Sequence, residues 1–290
     1  PIVGPLLRRG GAFFLRRSFK GEPLYAAVFR EYLHAMLEKG FPIAYFIEGG
    51  RSRSGRTLAP KGGLLGMTVE SFMREHPRPL LLVPVHFSYE KLLEGRTLVA
   101  ELEGQPKEGE SLGALVRVAR NLRREYGSVH VNFGAPLSVD QFLDREAPGW
   151  HALQGDEQRD VARRLTPLLG REMAQRINSA VVINPINLFA MAIVPSPRQA
   201  LDERGLVQQI DWLKTIASRL PYAADTVLTA HDPAAAMAQA LQLGFAKRVA
   251  HPLGDIIVVP DQEMSAVNYL RNNVLPAYAL PALVANLLVA

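Results

Sequence analysis

Apolar residues recur every three or four positions in three segments of the first half of the chain, the spacing of amphipathic helices. The segments are EPLYAAVFREYLHAMLEKG, GLLGMTVESFMREH and SLGALVRVARNLRREYG. In the first, the apolar side comprises Leu24, Val28, Tyr32 or Leu33, and Met36 or Leu37. Gly40 marks the end of this helix.

Three short apolar runs lie between or after these helices: PIAYFI, RPLLLVPVHFSY and SVHVNFGAPL. Each is bounded by turn residues and predicts a buried strand. Strands that alternate with helices favour a mainly parallel sheet covered by helices on both faces. We therefore predict an α/β fold for residues 1–146.

The second half of the chain has a different character, and a polar stretch at residues 140–164, with Pro148 and Gly149, predicts a domain boundary. Residues 147–290 are predicted to be mostly helical, with a small hairpin at KRVAHPLGDIIVV and a last helix beginning near QEMSAVNYLRNN. One helix carries Leu206, Ile210, Leu213, Ile216 and Leu220 on a single side.

Two stretches without charge, residues 179–196 and 274–290, approach the composition of a membrane span. Both contain proline and fall short of the ~20 unbroken apolar residues that a spanning helix needs. Core helices explain them better than contact with a membrane interface, although the second stretch could continue in a longer protein.

Composition narrows the chemistry. The chain has no cysteine, which excludes disulfides, thiol nucleophiles and cysteine-ligated metals. Its net charge is +5, and residues 1–63 alone hold 11 Lys or Arg against 4 Glu. A basic surface concentrated in one segment suggests phosphate, acidic lipid headgroups or nucleic acid as a ligand.

The clearest candidate site is EGGRSRSGR at residues 48–56, which follows a predicted strand. In an open sheet, a glycine-rich turn at the end of a strand lets backbone N–H groups approach an anion. The guanidinium groups of Arg51, Arg53 and Arg56 match phosphate, and Ser52 and Ser54 can add hydroxyls. Glu48 is either part of the site or only a counter-ion.

The same loop nearly matches a nucleotide-binding motif, but Arg56 stands where that motif requires lysine. Pro60 and two glycines interrupt the expected phosphate-bearing helix, which disfavours a nucleotide hydrolase. A second basic element, GAFFLRR, ends in Arg16 and Arg17, and we expect it to bring these arginines to the same phosphate.

The segments GAFFLRR, FIEGGRSRSGR and VPVHFSYEK, in this order, resemble the second, third and fourth motifs of the sn-glycerol-3-phosphate acyltransferases. The likeness is to the long membrane-associated bacterial and mitochondrial type, and it continues through INSAVVINPINLFAMAIV and NYLRNNVLPAYALPALVA. It implies transfer of a fatty acyl group from acyl-CoA or acyl carrier protein to the sn-1 hydroxyl of glycerol 3-phosphate. The product is lysophosphatidate, in the first step of phospholipid synthesis.

The resemblance also assigns residues. Glycerol 3-phosphate would be bound by Arg16, Arg17, Glu48, Gly49, Gly50, Arg51, Ser52 and Arg53. Pro84 would shape the acyl-donor side. No metal and no cofactor beyond the acyl-CoA or acyl carrier protein co-substrate is expected, and no nucleic acid. The implied location is a membrane surface, at the cytoplasmic face of the bacterial inner membrane.

The catalytic motif of this family, His followed by four residues and Asp, is expected upstream of residue 1, since the chain begins with Pro1 shortly before GAFFLRR. We therefore expect an internal fragment that is inactive alone, with no catalytic residue in this chain. His151 and Asp156 have the same spacing, but they follow all three motifs and are interpreted as a chance match.

Two alternatives remain open at this point. The basic segment could belong to a non-catalytic module that binds anionic lipid or nucleic acid, with affinity that falls steeply with salt. The chain could also belong to a sister acyltransferase that uses another phosphate monoester as acceptor.

Overall fold

The structure of the protein is a computed structural model, and it describes residues 3–16, 19, 21–50, 52–74, 78–92, 126–230 and 232–289. Helices predominate and the sheets are small. The predicted helix at residues 111–127 lies almost wholly outside the described residues. The helices are α1 (Val3–Arg9), α2 (Pro23–Glu38), α3 (Gly62–Arg74), α4 (Val139–Glu146), α5 (Gly155–Ser179), α6 (Pro185–Ile193), α7 (Glu203–Arg219), α8 (Pro233–Gln242) and α9 (Met264–Val289). The strands are β1 (Leu81–Leu82), β2 (Val85–Tyr89), β3 (Val129–Phe133), β4 (Leu137–Ser138), β5 (Val182–Ile183), β6 (Ala200–Asp202), β7 (Val227–Leu228), β8 (Lys247–Val249) and β9 (Ile256–Val258).

Helix α2 confirms the predicted helix but not its predicted face. It ends before Gly40, whose φ of +75° suits a residue without a Cβ. Leu24 and Val28 are 77% and 59% exposed, whereas Phe29 and Leu33 are buried. The inward side is the one on which aromatic rings from the preceding segment pack. An exposed apolar stripe therefore remains along this helix.

The predicted mainly parallel sheet is wrong. Strands β1 and β4, β2 and β3, and the set β6–β9–β8 pair antiparallel, and only β5 and β7 pair parallel among the described residues. The run PIAYFI is not a strand, and Phe46 within it is 80% exposed. Phe87 and Val131 leave part of the β2–β3 pair exposed, whereas parallel sheets are covered on both faces.

The core consists of two clusters of buried side chains. The first joins α3, α4 and α5 and includes the fully buried Phe142 and Trp150. The second joins α6 to α9 and includes Phe189 and Ile193. Helix α5 packs along α3, which carries the third-motif loop at its start. The division of the chain at residue 146 stays a prediction.

In the second half the expected helices and the β8–β9 hairpin are confirmed. The uncharged stretch 179–196 is buried around α6, as a core helix should be. The second stretch behaves differently: α9 is buried as far as Tyr278, and then Leu283 and Leu287 are 61% and 80% exposed. A core helix does not explain that end. Within the described part of the chain, residues 261–289 form the one helix whose length and composition would allow it to cross a membrane.

Candidate functional site

The glycine- and arginine-rich segment forms a loop whose two ends are tied together. The Oε2 atom of Glu48 accepts a hydrogen bond from the N–H of Leu58 at 3.0 Å. Just outside it, the N–H of Lys61 donates to the carbonyl of Ile47 at 2.7 Å. The carboxylate of Glu48 therefore supports the backbone of the loop, and residues 49–57 form a single excursion between these bonds.

The two glycines that follow Glu48 leave little side-chain bulk at the start of the loop. Gly49 has a φ of +57°, and a Cβ there would lie 2.9 Å from Cδ of Lys61. A Cβ built on Gly50 meets nothing within 4 Å. The backbone at Gly50 is thus open to the close approach that an anion bound by N–H groups would need.

The far side of the loop rests directly on helix α9. Gly55 is buried with a φ of +81°, and a Cβ there would lie 2.3 Å from the carbonyl oxygen of Tyr269. The Nδ2 atom of Asn272 donates to the carbonyl of Ser54 at 2.8 Å. Backbone lies against backbone at this point, so that no residue larger than glycine fits at position 55.

A third tie comes from helix α5. The hydroxyl of Thr57 donates to Oδ1 of Asn178 at 2.6 Å. Asn178, Asn272 and the contact at Tyr269 were not predicted from the sequence. The available signal was weak, namely asparagines within otherwise apolar or amphipathic helices, where they are neutral to unfavourable unless they make a specific bond.

The loop side chains that are expected to bind an anion are described in part. Arg53 is exposed, and Arg51 lies outside the described residues. The Oγ atom of Ser52 is buried without a hydrogen-bond partner among the residues that the structure describes. A buried hydroxyl that retains an unused hydrogen bond fits a loop that accepts a ligand from outside the protein.

The described side-chain contacts of Arg16 are with residues outside this loop. Its guanidinium pairs with the carboxylate of Glu22 and lies over the ring of Tyr25, 4.9 Å from the ring centroid. Arg17 lies outside the described residues. The expected convergence of arginines from the second and third motifs on one phosphate therefore stays a prediction.

Pro84 lies between β1 and β2 and is buried. Its carbonyl accepts a hydrogen bond from the N–H of Gly134 at 2.9 Å. A Cβ built on Gly134 would lie 3.1 Å from both Cγ of Pro84 and Cβ of Ala180. Pro84 thus packs closely against neighbouring backbone, and its proposed part in shaping the acyl-donor side stays a prediction.

The fourth motif also contains the buried carboxylate of Glu90, to which no role was assigned from the sequence. Its Oε2 atom accepts hydrogen bonds from the N–H of Ser128 and from Nε2 of Gln239, both at 2.6 Å. The Nε2 atom of His130 lies 3.6 Å from Oε1. Glu90 therefore joins the end of β2 to helix α8, and these hydrogen bonds stabilise the fold.

The described contacts of His151 and of Asp156, which have the spacing of the catalytic motif, are with other residues. The ring of His151 stacks on Trp150 at 3.9 Å between centroids, and its Nε2 atom lies 3.6 Å from Asp144, while Asp156 pairs with Arg159. Burial of His86 on β2 lowers its pKa to about 4. Among the described residues no group of three or more His, Asp or Glu could hold a metal ion.

Comparison with known proteins identifies the family of this chain. Residues 99–290 match the family described as the glycerol-3-phosphate acyltransferase C-terminal region, and residues 1–88 match the acyltransferase family. The chain belongs to the glycerol-3-phosphate acyltransferase family. The resemblance inferred from three short motifs is confirmed.

Curated members of the family align with this chain over almost its whole length. Proteins named glycerol-3-phosphate acyltransferase from Ectopseudomonas mendocina and Pseudomonas aeruginosa are each 44% identical over 99% of this chain. One from Pseudomonas fluorescens is 43% identical over the same share. The chain covers 34% to 35% of the length of these relatives, so it spans about a third of the curated proteins that it matches.

Proposed function

We propose that the complete protein transfers a fatty acyl group from acyl-CoA or acyl carrier protein to the sn-1 hydroxyl of glycerol 3-phosphate. The product would be lysophosphatidate, the first intermediate of phospholipid synthesis. The observation that carries this proposal is the loop at residues 48–58, which is tied at its base and along its far side yet leaves Gly50 open. It occurs in a chain that belongs to the glycerol-3-phosphate acyltransferase family.

In this proposal the loop binds the phosphate of the acceptor. The backbone at Gly49 and Gly50, the hydroxyl of Ser52 and the guanidinium groups of Arg51 and Arg53 supply donors to a phosphate dianion. Arginine offers a planar fork of donors that fits phosphate oxygens in pairs. Glu48 would keep the part in acceptor binding that the resemblance implied, while its Oε2 atom also closes the loop.

We further propose that Arg16 and Arg17 reach the phosphate when the acceptor binds. For Arg16 this requires the guanidinium to leave Glu22, a change that costs little because exposed ion pairs contribute about 0–1 kcal/mol. The side chains of Arg16 and Glu22 are 56% and 50% exposed, so the pair is of this weak kind.

The proton-transfer group of the reaction is not assigned to this chain. We expect the general base to lie elsewhere in the complete protein, and the 290-residue chain to be inactive alone. No metal or bound cofactor is required in this proposal, because removal of a hydroxyl proton and stabilisation of an oxyanion suffice for acyl transfer. Activity that survives prolonged dialysis against a chelator would support this point.

Acyl transfer from a radiolabelled acyl-CoA to glycerol 3-phosphate tests the proposal directly. The complete protein should form lysophosphatidate with saturation in glycerol 3-phosphate, and the 290-residue chain should form none. A complete protein that bound acidic lipid and nucleic acid equally, with affinity falling steeply with salt and no competition by glycerol 3-phosphate, would instead be a non-catalytic anion binder. Transfer only to another phosphate monoester would indicate a sister acyltransferase.

The site is proposed to work at a membrane surface, on the cytoplasmic face of the bacterial inner membrane. The exposed apolar end of α9, with Leu280, Leu287 and Leu288 at 71%, 80% and 82% exposure and no charged side chain nearby on the helix, supports contact with lipid. An apolar segment of this size in water is otherwise unfavourable.

A further inference from the structure

Helix α9 contacts the loop at residues 48–58 through Ser54 and Gly55. Two features make this contact unusually close. Gly55 lies so near the carbonyl of Tyr269 that a Cβ would approach it to 2.3 Å, and the amide of Asn272 donates to the Ser54 carbonyl at 2.8 Å. The pair joins residues that are 218 positions apart in the sequence.

The side chain of Asn272 is fixed at both ends of its amide. Its Oδ1 atom accepts a hydrogen bond from Nη2 of Arg271 at 3.1 Å, while its Nδ2 atom donates to the Ser54 carbonyl. Asn272 is 9% exposed, whereas Ser54 is an exposed residue, so the bond to the Ser54 carbonyl is partly buried. Loss of the donor would leave this carbonyl without its partner in the protein, and a partly buried bond costs more to lose than a fully exposed one.

The effect of this bond falls on the loop residues that face the ligand. The Ser54–Gly55 peptide can take few orientations, because Gly55 has a φ of +81° and the Ser54 carbonyl is held. The Glu48 bond fixes the other end of the loop. The described residues between these two points, Gly49, Gly50, Ser52 and Arg53, lie in a loop held at both ends, and such preorganisation raises affinity by reducing the ordering that binding requires.

We infer that Asn272 is a positioning residue for the acceptor phosphate: through Ser54 and Gly55, helix α9 sets the shape of the loop that binds glycerol 3-phosphate. This inference rests on the proposed function of the loop. It assigns a role in substrate binding to the C-terminal helix, exerted through the backbone of the loop.

The test compares Asn272→Asp with Asn273→Asp in the complete protein. Both substitutions add the same charge to the same helix, but among the described residues Asn273 makes no hydrogen bond to the loop. Asn272→Asp removes the donor and places a carboxylate oxygen toward the Ser54 carbonyl. We expect the apparent KM for glycerol 3-phosphate to rise about tenfold, the equivalent of about 1.4 kcal/mol for one partly buried hydrogen bond. The kcat at saturating acceptor and the KM for acyl-CoA should stay within twofold of the unsubstituted protein.

Two results would overturn the inference: an equal rise in the KM for glycerol 3-phosphate in both variants, or an unchanged KM in Asn272→Asp. An unchanged KM together with a lowered melting temperature would mark a purely structural residue. If Asn272→Asp does not fold, Gly55→Ala addresses the contact from the loop side. Its matched control is Gly63→Ala, where a Cβ meets nothing within 4 Å. Gly55→Ala should raise the same KM, and an unchanged value would contradict the inference.

Calorimetric titration with glycerol 3-phosphate separates this inference from the proposed function. Weaker binding by Asn272→Asp, in a protein that transfers no acyl group, would retain the positioning role and reject the enzymatic one. Acyl transfer with unchanged binding in the variant would do the reverse. Absence of both binding and transfer in the unsubstituted protein would reject both.

Discussion

Asn184 is the side chain whose removal should reveal most about what holds the two halves of the fold together. It is fully buried at the start of α6, where its Oδ1 atom accepts from the N–H of Asn187 at 2.9 Å. The Oδ1 atom of Asn187 accepts in return from the N–H of Asn184 at 3.0 Å. The Nδ2 atom of Asn184 also donates to the hydroxyl of Ser88 on β2 at 3.0 Å. One amide thus caps a helix and ties it to the fourth-motif strand.

The magnitude follows from these bonds. Loss of an N-cap side chain costs about 0.5–2 kcal/mol. A buried partner left without its hydrogen bond costs about 1–3 kcal/mol more. We expect Asn184→Ala to lower the free energy of unfolding by about 3–4 kcal/mol, which lowers the melting temperature by about 6–16 °C in a protein of this size.

Asp202→Ala is the matched control, because Asp202 caps α7 through the N–H of Gly205 at 2.8 Å but is exposed. It should cost about 1 kcal/mol, as an exposed cap does. Thermal and urea unfolding followed by circular dichroism would compare the two variants at neutral pH. If Asn184→Ala cost no more than Asp202→Ala, the bond to Ser88 would contribute nothing and the reasoning would be refuted.

Three further predictions concern pH, lipid and the acceptor. Because the pKa of His86 is lowered to about 4 by burial, the unfolded chain takes up the proton first as the pH falls. The contribution of His86 to the free energy of unfolding is then complete above about pH 6.5 and declines by up to about 3 kcal/mol toward pH 4. A pH series of unfolding midpoints should show this decline in the unsubstituted protein but not in His86→Gln. A profile in the variant identical to that of the unsubstituted protein would exclude His86 as its source. Leu287→Asp should weaken cosedimentation with anionic vesicles at least tenfold, whereas Leu253→Asp, at a site 92% exposed on the hairpin, should not, and equal behaviour would argue against lipid contact by α9. In the complete protein Arg51→Ala should raise the apparent KM for glycerol 3-phosphate, since each charge-assisted contact contributes about 1.5–3 kcal/mol, and unchanged kinetics would remove Arg51 from the site.

Local patterns predicted the helices well, because the period of a helix is a property of neighbouring residues. Helices α2 and α3 lie where the spacing of apolar residues put them, and Gly40 ends the first. The face that α2 buries was predicted wrongly. Both sides of this helix carry large apolar residues, and only the rings that pack on Phe29 decide between them.

Strand direction could not be inferred in the same way. Short apolar runs such as the one at β2 suit a buried parallel strand and a partly exposed antiparallel one, and periodicity does not separate them. The choice depends on which strand becomes the neighbour. Val85 pairs with Phe133 in an antiparallel ladder, although the two residues are 48 positions apart.

The sequence by itself determined the chemistry of this protein: a glycine-rich loop with clustered arginines, no cysteine, and three ordered motifs that indicated the family. These are properties of residue types and of short spacings, which a chain carries whether or not it is folded. The tertiary structure alone decided what gives the loop its shape. Asn178 and Asn272 are remote from it in sequence, and hydrogen bonds of this kind depend on packing between helices that no local pattern records. The folded chain also gave Glu48 its partner at Leu58 and left the end of α9 exposed, since each outcome depends on what the rest of the protein covers.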